Sequence, residues 1–528
     1  MSSRALVLSI VLAACGAPSD APADDYDPLA TALASRGHVE NPEAPIPPLC
    51  YTATDGRSNP CYVCHTVGVG PFGRADWDLQ VEYAFSDAAL ENRWTNLFVD
   101  RTEHAARWDD DAMLAWIRED DYTALRRALE QREGYAGYVP DLDFDRGFDE
   151  RGFARDGSGW RALRYKPFPG TFWPTNGSTD DVFVRLSRAL RSDAQGALSD
   201  EIHAINLAIL EAALTSDPER DLGPIDETIA RVDLDGDGAL SSRVTTIRVL
   251  PSHYVGGGAD VPVIPFTHPI GTEYLHSVRY VDPDAPDLRS RRMKELRHMR
   301  RVDAPDRGSL LAAMEEEREE RDRGRVPSFR GAPDVGYRNA FGWQLQGFIE
   351  DARGRLRVQT EEEHRFCMGC HGGLGVTIDS VFSLPRRVPG ADGWRVQDLR
   401  GMQDAPQSGH DVPEILEYFQ RVGGADELRG NDEMRARFWP GGALDERSVR
   451  RASLGGDRDL AWLLAPSRAR ALDLARAYRV IVEDQSFTRG RDATLRPAQH
   501  VHRRIEEPDS GLEAAGLVRT DGRLTLDW

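Results

Sequence analysis

Residues 341–371 read FGWQLQGFIEDARGRLRVQTEEEHRFCMGCH, and three patterns follow one another within them. FGWQLQGFIE and RLRVQ, on either side of a turn at Asp351 to Gly354, read as two strands of a hairpin. Thr360 followed three residues later by Glu363 is a capping box, in which each side chain satisfies the other residue's backbone N–H at the start of a helix. The helix it opens carries Cys367, Cys370 and His371. A hairpin that leads straight into a helix bearing two thiols and an imidazole gives an α+β expectation: mainly helical, with a β-containing section around residues 240–360.

The closing CMGCH at 367–371 repeats an earlier CYVCH at 61–65. Of the six cysteines (15, 50, 61, 64, 367 and 370), four lie in these two units. Two thiols three positions apart, followed by an imidazole, can form half a zinc site, a redox dithiol or a haem attachment point. Zinc requires the two pairs to converge from distant parts of the chain and leaves His65 and His371 without a role. A redox dithiol requires a βαβ setting that neither unit shows. In haem attachment the thiols bond the vinyl groups and the adjacent histidine takes the iron.

On these motifs the sequence resembles the c-type cytochromes, specifically exported dihaem ones. The likeness lies in the two motifs and an export signal, a small part of the chain. It implies two covalently bound haem c groups, on Cys61/Cys64 and Cys367/Cys370, with His65 and His371 as proximal iron ligands. Cys50 is left over, and an inert buried thiol, an intermolecular disulfide and a thiolate ligand all stay open for it.

MSSRALVLSIVLAAC at 1–15 has a basic start, a short apolar run and small residues before Cys15. It reads as an export signal, too short to span a bilayer. LAAC resembles the bacterial lipoprotein cleavage box, which implies lipidation of Cys15 and anchoring at the periplasmic side of a membrane. Gly16 after the cysteine favours the outer membrane by the same resemblance. Residues 16–48, rich in Pro, Ala and Asp, read as a tether. The expected organisation continues with a first haem region at 49–215, a calcium-loop and strand section at 216–285, and a second haem region at 286–528. A formal charge of −21 excludes nucleic acid as a partner and suits a basic redox protein.

Helices are expected at 87–98, 109–120, 122–133, 201–213, 288–300, 310–325 and 411–422, and over 459–485 with a break at Pro466. Residues 152–186 read as an aromatic loop around a core or haem edge. GTEYLHSVRYVD at 271–282 alternates as a strand, and VTTIRVL at 244–250 reads as a further strand. DLDGDGALS at 233–241 matches the first half of an EF-hand loop. Asp233, Asp235 and Asp237 would converge on Ca²⁺, with the Ala239 carbonyl and Ser241 completing the set. Its twelfth position is Val244 instead of glutamate, and the upstream Glu227 reaches the loop only along a different path.

The distal ligands decide between carrier and enzyme, because an iron closed on both faces only passes electrons. His276 and Met402 are the candidates. The function expected is electron transfer at the periplasmic face of a membrane. The alternative is a dihaem oxidoreductase, peroxidase-like or acting on sulfur or nitrogen anions, with one reactive haem. A calcium-stabilised surface module with structural haem is the third reading.

Overall fold

The computed structural model describes residues 26–53, 60–65, 85–215, 217–323, 325–326, 329–372, 377–422, 430–454, 458–506 and 524–528. The expected signal and Cys15 lie outside them.

An antiparallel sheet organises the chain. Its strands are β1 (Arg161–Leu163), β2 (Ser178–Arg185), β3 (Glu273–Val281), β4 (Arg289–Arg301), β5 (Arg330–Ala332), β6 (Gly336–Arg338), β7 (Trp343–Glu350) and β8 (Leu356–Val358). They run in the order β1-β2-β3-β4-β7-β6-β5, and β8 pairs with β7 further along the edge that β6 occupies. The sheet thus crosses the expected divisions at 215/216 and 285/286. From Tyr26 onward the expected tether already packs on it: Leu29 and Ala32 are buried, and the Val358 N–H donates to the Pro28 carbonyl at 2.8 Å.

Side chains alternate between the sheet's two faces. Val182, Val184, Tyr274, Met299 and Leu345 enter one core with the Asp200–Ala213 helix. Phe183, Leu275, Leu296 and Phe348 enter a second, against the Tyr122–Glu130 helix. A third core joins the Asp110–Arg118 and Arg468–Asp484 helices to Tyr280 and Ile349. The C-terminal helices Glu414–Val422, Asp432–Phe438 and Leu460–Leu464 belong to a fourth, with Phe168 and Trp173.

The mixed α+β expectation holds, and several elements differ. Residues 288–300, expected as a helix, form most of β4. RSRRMKELRHMRR is rich in helix formers, but its place between β3 and β7 gives its backbone a ladder on both sides. The aromatic loop at 152–186 contains β1 and β2. VTTIRVL is no strand; Val244 makes one bridge to Ile225, and the N–H groups of Arg248 and Val249 turn back onto the Leu234 carbonyl. Of the helix expected at 87–98 only a 3-10 turn forms, Thr95–Phe98. Asn92 accepts the Trp94 N–H at 2.9 Å, the local side-chain bond that competes with a helix.

Candidate cofactor site

The Glu361–His371 helix grows out of the hairpin as its capping box requires. Thr360 Oγ1 accepts the Glu363 N–H at 3.3 Å, and the Glu363 carboxylate accepts the Thr360 N–H at 2.7 Å. Burial pushes the Glu363 carboxyl up, but Arg357, bonded to both its oxygens at 2.9 Å, wins and holds it at about 2. His364 then ties the helix to β7: Nδ1 donates to the Thr360 carbonyl at 2.7 Å and Nε2 accepts from the Gly347 N–H at 2.9 Å.

The far end of this helix presents Cys367, Cys370 and His371 to a cavity of about 1440 Å³, counting the open space at its mouth. Phe168, Phe366, Phe382 and Leu474 give it apolar walls, and the sheet adds His276 from β3 with Lys294 and Arg297 from β4. A second cavity of about 610 Å³ shares His276, Arg297, Cys367 and His371.

His371 is aimed by its neighbours. Its Nδ1–H donates to the Ser380 carbonyl at 3.0 Å, which leaves Nε2 as the basic nitrogen, the arrangement seen for metal-binding histidines. Burial lowers its pKa to about 4, so the ring is neutral at physiological pH. Asp379 and Ser380 both adopt left-handed φ, 52° and 64°. This turn is locked from below, where Asp379 accepts from the His268 backbone N–H at 2.8 Å and from Arg301 at 2.7 Å. His268 Nδ1 also lies 3.0 Å from Asp379, and its Nε2 lies 3.0 Å from the Tyr274 hydroxyl.

The first motif arrives in the Pro60–Val63 turn, where the N–H groups of Cys64 and His65 both bond the Cys61 carbonyl, at 3.1 and 2.8 Å. Cys64 lines the same large cavity as Cys367 and Cys370. Contact with Cys64 is the main cause lowering the Cys370 pKa; burial opposes it and Arg297 adds to it. Cys61 packs in an apolar cluster with Tyr51, Trp94, Leu97 and Val501, and His65 is half-buried. Burial, and then nearby Cys370, push the Cys50 thiol up to about 12, so it is a neutral thiol.

The two C-x-x-C pairs therefore do converge. A tetrahedral thiolate site with Zn–S near 2.3 Å would hold its sulfurs within about 4 Å of one another. Among the described residues no three thiols come within 4.8 Å of one another. The residues fit a macrocycle better: a large apolar cavity, paired thiols on a helix, and an imidazole with its Nδ1 fixed.

His276 stands on the cavity wall with Nε2 3.0 Å from Asp180 Oδ2, and Asp180 also accepts from the Tyr165 hydroxyl. In the β3–β4 register His276 is the direct partner of Arg297, and Phe172 packs edge-on to its ring at 5.0 Å. Met402 is instead buried among Ile415, Phe419 and Leu460.

In the acidic loop Asp233 accepts the N–H groups of Gly236 and Gly238 at 2.7 and 2.9 Å, and Gly238 takes φ +86°. Glu227, Asp233 and Asp235 bring carboxylate oxygens within 4.8 Å of one another. Asp237 instead accepts the Ala239 N–H at 2.8 Å, and the Ser241 N–H donates to Glu227 at 2.9 Å. Glu227, which motif spacing set aside as needing a different loop path, is the residue that closes the group. It lies outside the twelve-residue frame, and its fully buried carboxylate also accepts the Leu234 N–H at 2.6 Å.

Among the described residues no helix is long and apolar enough to cross a membrane. A family model whose description is "-like lipoprotein" matches residues 34–414. An uncharacterized lipoprotein of Aquifex aeolicus (strain VF5) is 31% identical, over 92% of this chain and 90% of that protein. No solved structure matches. These matches correct the resemblance to the c-type cytochromes: both are to lipoproteins, and motifs of five residues cover too little of the chain to set its family.

Proposed function

The chain belongs to this lipoprotein family, and from that premise we propose that it is an exported, lipid-anchored protein that binds two haem c groups and transfers electrons. The observation that carries the reading is the meeting of Cys64, Cys367, Cys370 and His371 at one apolar cavity, with the His371 ring turned by the Ser380 carbonyl. Haem, when bound, supplies a one-electron couple. Cys367 and Cys370 would hold one group covalently, with His371 offering Nε2 to its iron, and Cys61 and Cys64 would hold the other, with His65 as its ligand. Arg297 and Arg491 line the cavity already paired with Glu295, at 3.0 and 2.7 Å, and the apolar walls would keep water from the macrocycle. Cys15 carries the lipid, with the outer membrane as the site, and the −21 charge steers a basic redox protein to the surface.

The His276–Asp180 bond and the Arg297 beside it favour a second reading, an oxidoreductase in which one iron stays open to a small anion or peroxide. A structural Ca²⁺ on Asp233 and Asp235, joined by Glu227, accompanies either reading.

The test is the spectrum of protein matured with a c-type haem assembly system. The expected result is haem retained after denaturation, with two low-spin EPR signals. One high-spin signal would favour the oxidoreductase. Protein without covalent haem, or with zinc on its thiols, overturns the reading.

A further inference from the structure

Only two of the chain's 66 lysine and arginine residues are lysine, and Lys166 is sealed in the core. Its side chain is 0% exposed, Asp404 is 0% and Glu414 is 1%. Lys166 Nζ lies 3.1 Å from Asp404 Oδ1 and donates to Glu414 Oε2. Arg386, equally buried, holds both Glu414 oxygens, at 2.9 and 2.6 Å. Asp404 sits at the N-terminus of the Glu414–Val422 helix, where Oδ1 accepts the Ile415 N–H at 3.0 Å and Oδ2 the Leu416 N–H at 3.4 Å.

A buried ammonium between two carboxylates is costly as an ion cluster, and arginine serves elsewhere in this chain. What distinguishes lysine is an amine that can be acylated. We propose that Lys166 and Asp404 condense into an intramolecular amide, with Glu414 as proton carrier.

Glu414 takes a proton from the Lys166 ammonium, and the freed Nζ lone pair attacks Cγ of the protonated Asp404 carboxyl. The Ile415 and Leu416 N–H groups face the oxygens on which negative charge develops, as an oxyanion hole does. The Cγ–O bond breaks, its oxygen leaves as water with a proton returned by Glu414, and the Nζ–Cγ amide remains. The one proton left over passes to solvent as Glu414 regains its charge beside Arg386. The protonation states suit these roles. Burial raises the Asp404 pKa, against Lys166 and the Ile415 N–H, which favours the electrophilic acid. Burial also acts to raise that of Glu414, but Arg386 and Lys166 prevail and hold it at about 2, so it stands ionised with an oxygen open to a proton. The bond would fasten the segment after β1, including Phe168 of the cofactor cavity, to the C-terminal helices.

Tandem mass spectrometry of peptides from the mature full-length protein tests this. The expected result is one linked pair joining Lys166 to Asp404, lighter by one water than the two peptides. Separate, unmodified peptides in the wild type overturn the proposal. Asp404→Ala should abolish the link. Glu414→Gln, checked for folding by circular dichroism, should leave the amine and acid unjoined; a link that still forms in it overturns the role of Glu414.

Discussion

His364 uses both ring nitrogens inside the core, donating from Nδ1 to the Thr360 carbonyl and accepting at Nε2 from the Gly347 N–H. A second proton would turn the acceptor into a donor facing a donor. Burial accordingly depresses its pKa from 6.5 to about 4. Because the unfolded chain binds this proton more readily, the contribution is intact above about pH 6.5 and is lost as pH falls toward 4. At 1.36 kcal/mol per unit, the loss amounts to about 3 kcal/mol. Urea unfolding at pH 7 and pH 4.5 should show a clear drop for the wild type and a smaller one for His364→Gln. Equal drops in both would mean that His364 is not the titrating group. Nothing in EEEHRFCMGCH announced this histidine; its role arises from β7 packing across the helix, which spacing does not encode.

Elements governed by local chemistry could be read in the sequence. The hairpin, the Thr360–Glu363 box, the β3 alternation and the break at Pro466 all depend on near neighbours. β4 could not be read, since Met, Leu, Arg and Lys there gain their place from ladders to β3 and β7. The acidic loop lies between these cases: D-x-D-x-D-G was legible, whereas Glu227 joins it by folding back from a short helix. That closure gives a prediction for the element. Saturating Ca²⁺ should raise the melting temperature, by about 2.7 kcal/mol of stabilisation at a hundred times Kd. Chelator should reverse the rise and Asp233→Ala should abolish it. An unchanged melting temperature in calcium would make Glu227 itself, through its backbone N–H partners, the closure of an ion-free loop.

At the scale of the molecule, the two motifs meet because the sheet and the C-terminal helices surround one cavity, which places Cys64 against Cys370. Sequence spacing gave no sign of this meeting, since it joins the two ends of the fold. With a haem on each motif, as proposed, the meeting has an electrical consequence. Two unit charges about 10 Å apart at an effective dielectric of about 20 interact by about 1.7 kcal/mol. For a one-electron couple that is about 70 mV. Reducing one haem should therefore make the other harder to reduce by several tens of millivolts. A redox titration of the full protein should show two waves. Replacing Cys61 and Cys64 by alanine should leave one wave, at a potential above the lower of the original pair. The same potential in the single-haem variant as in the lower wave would mean that the groups do not sense each other. The shared cavity would then hold one haem only, with the first motif serving another site.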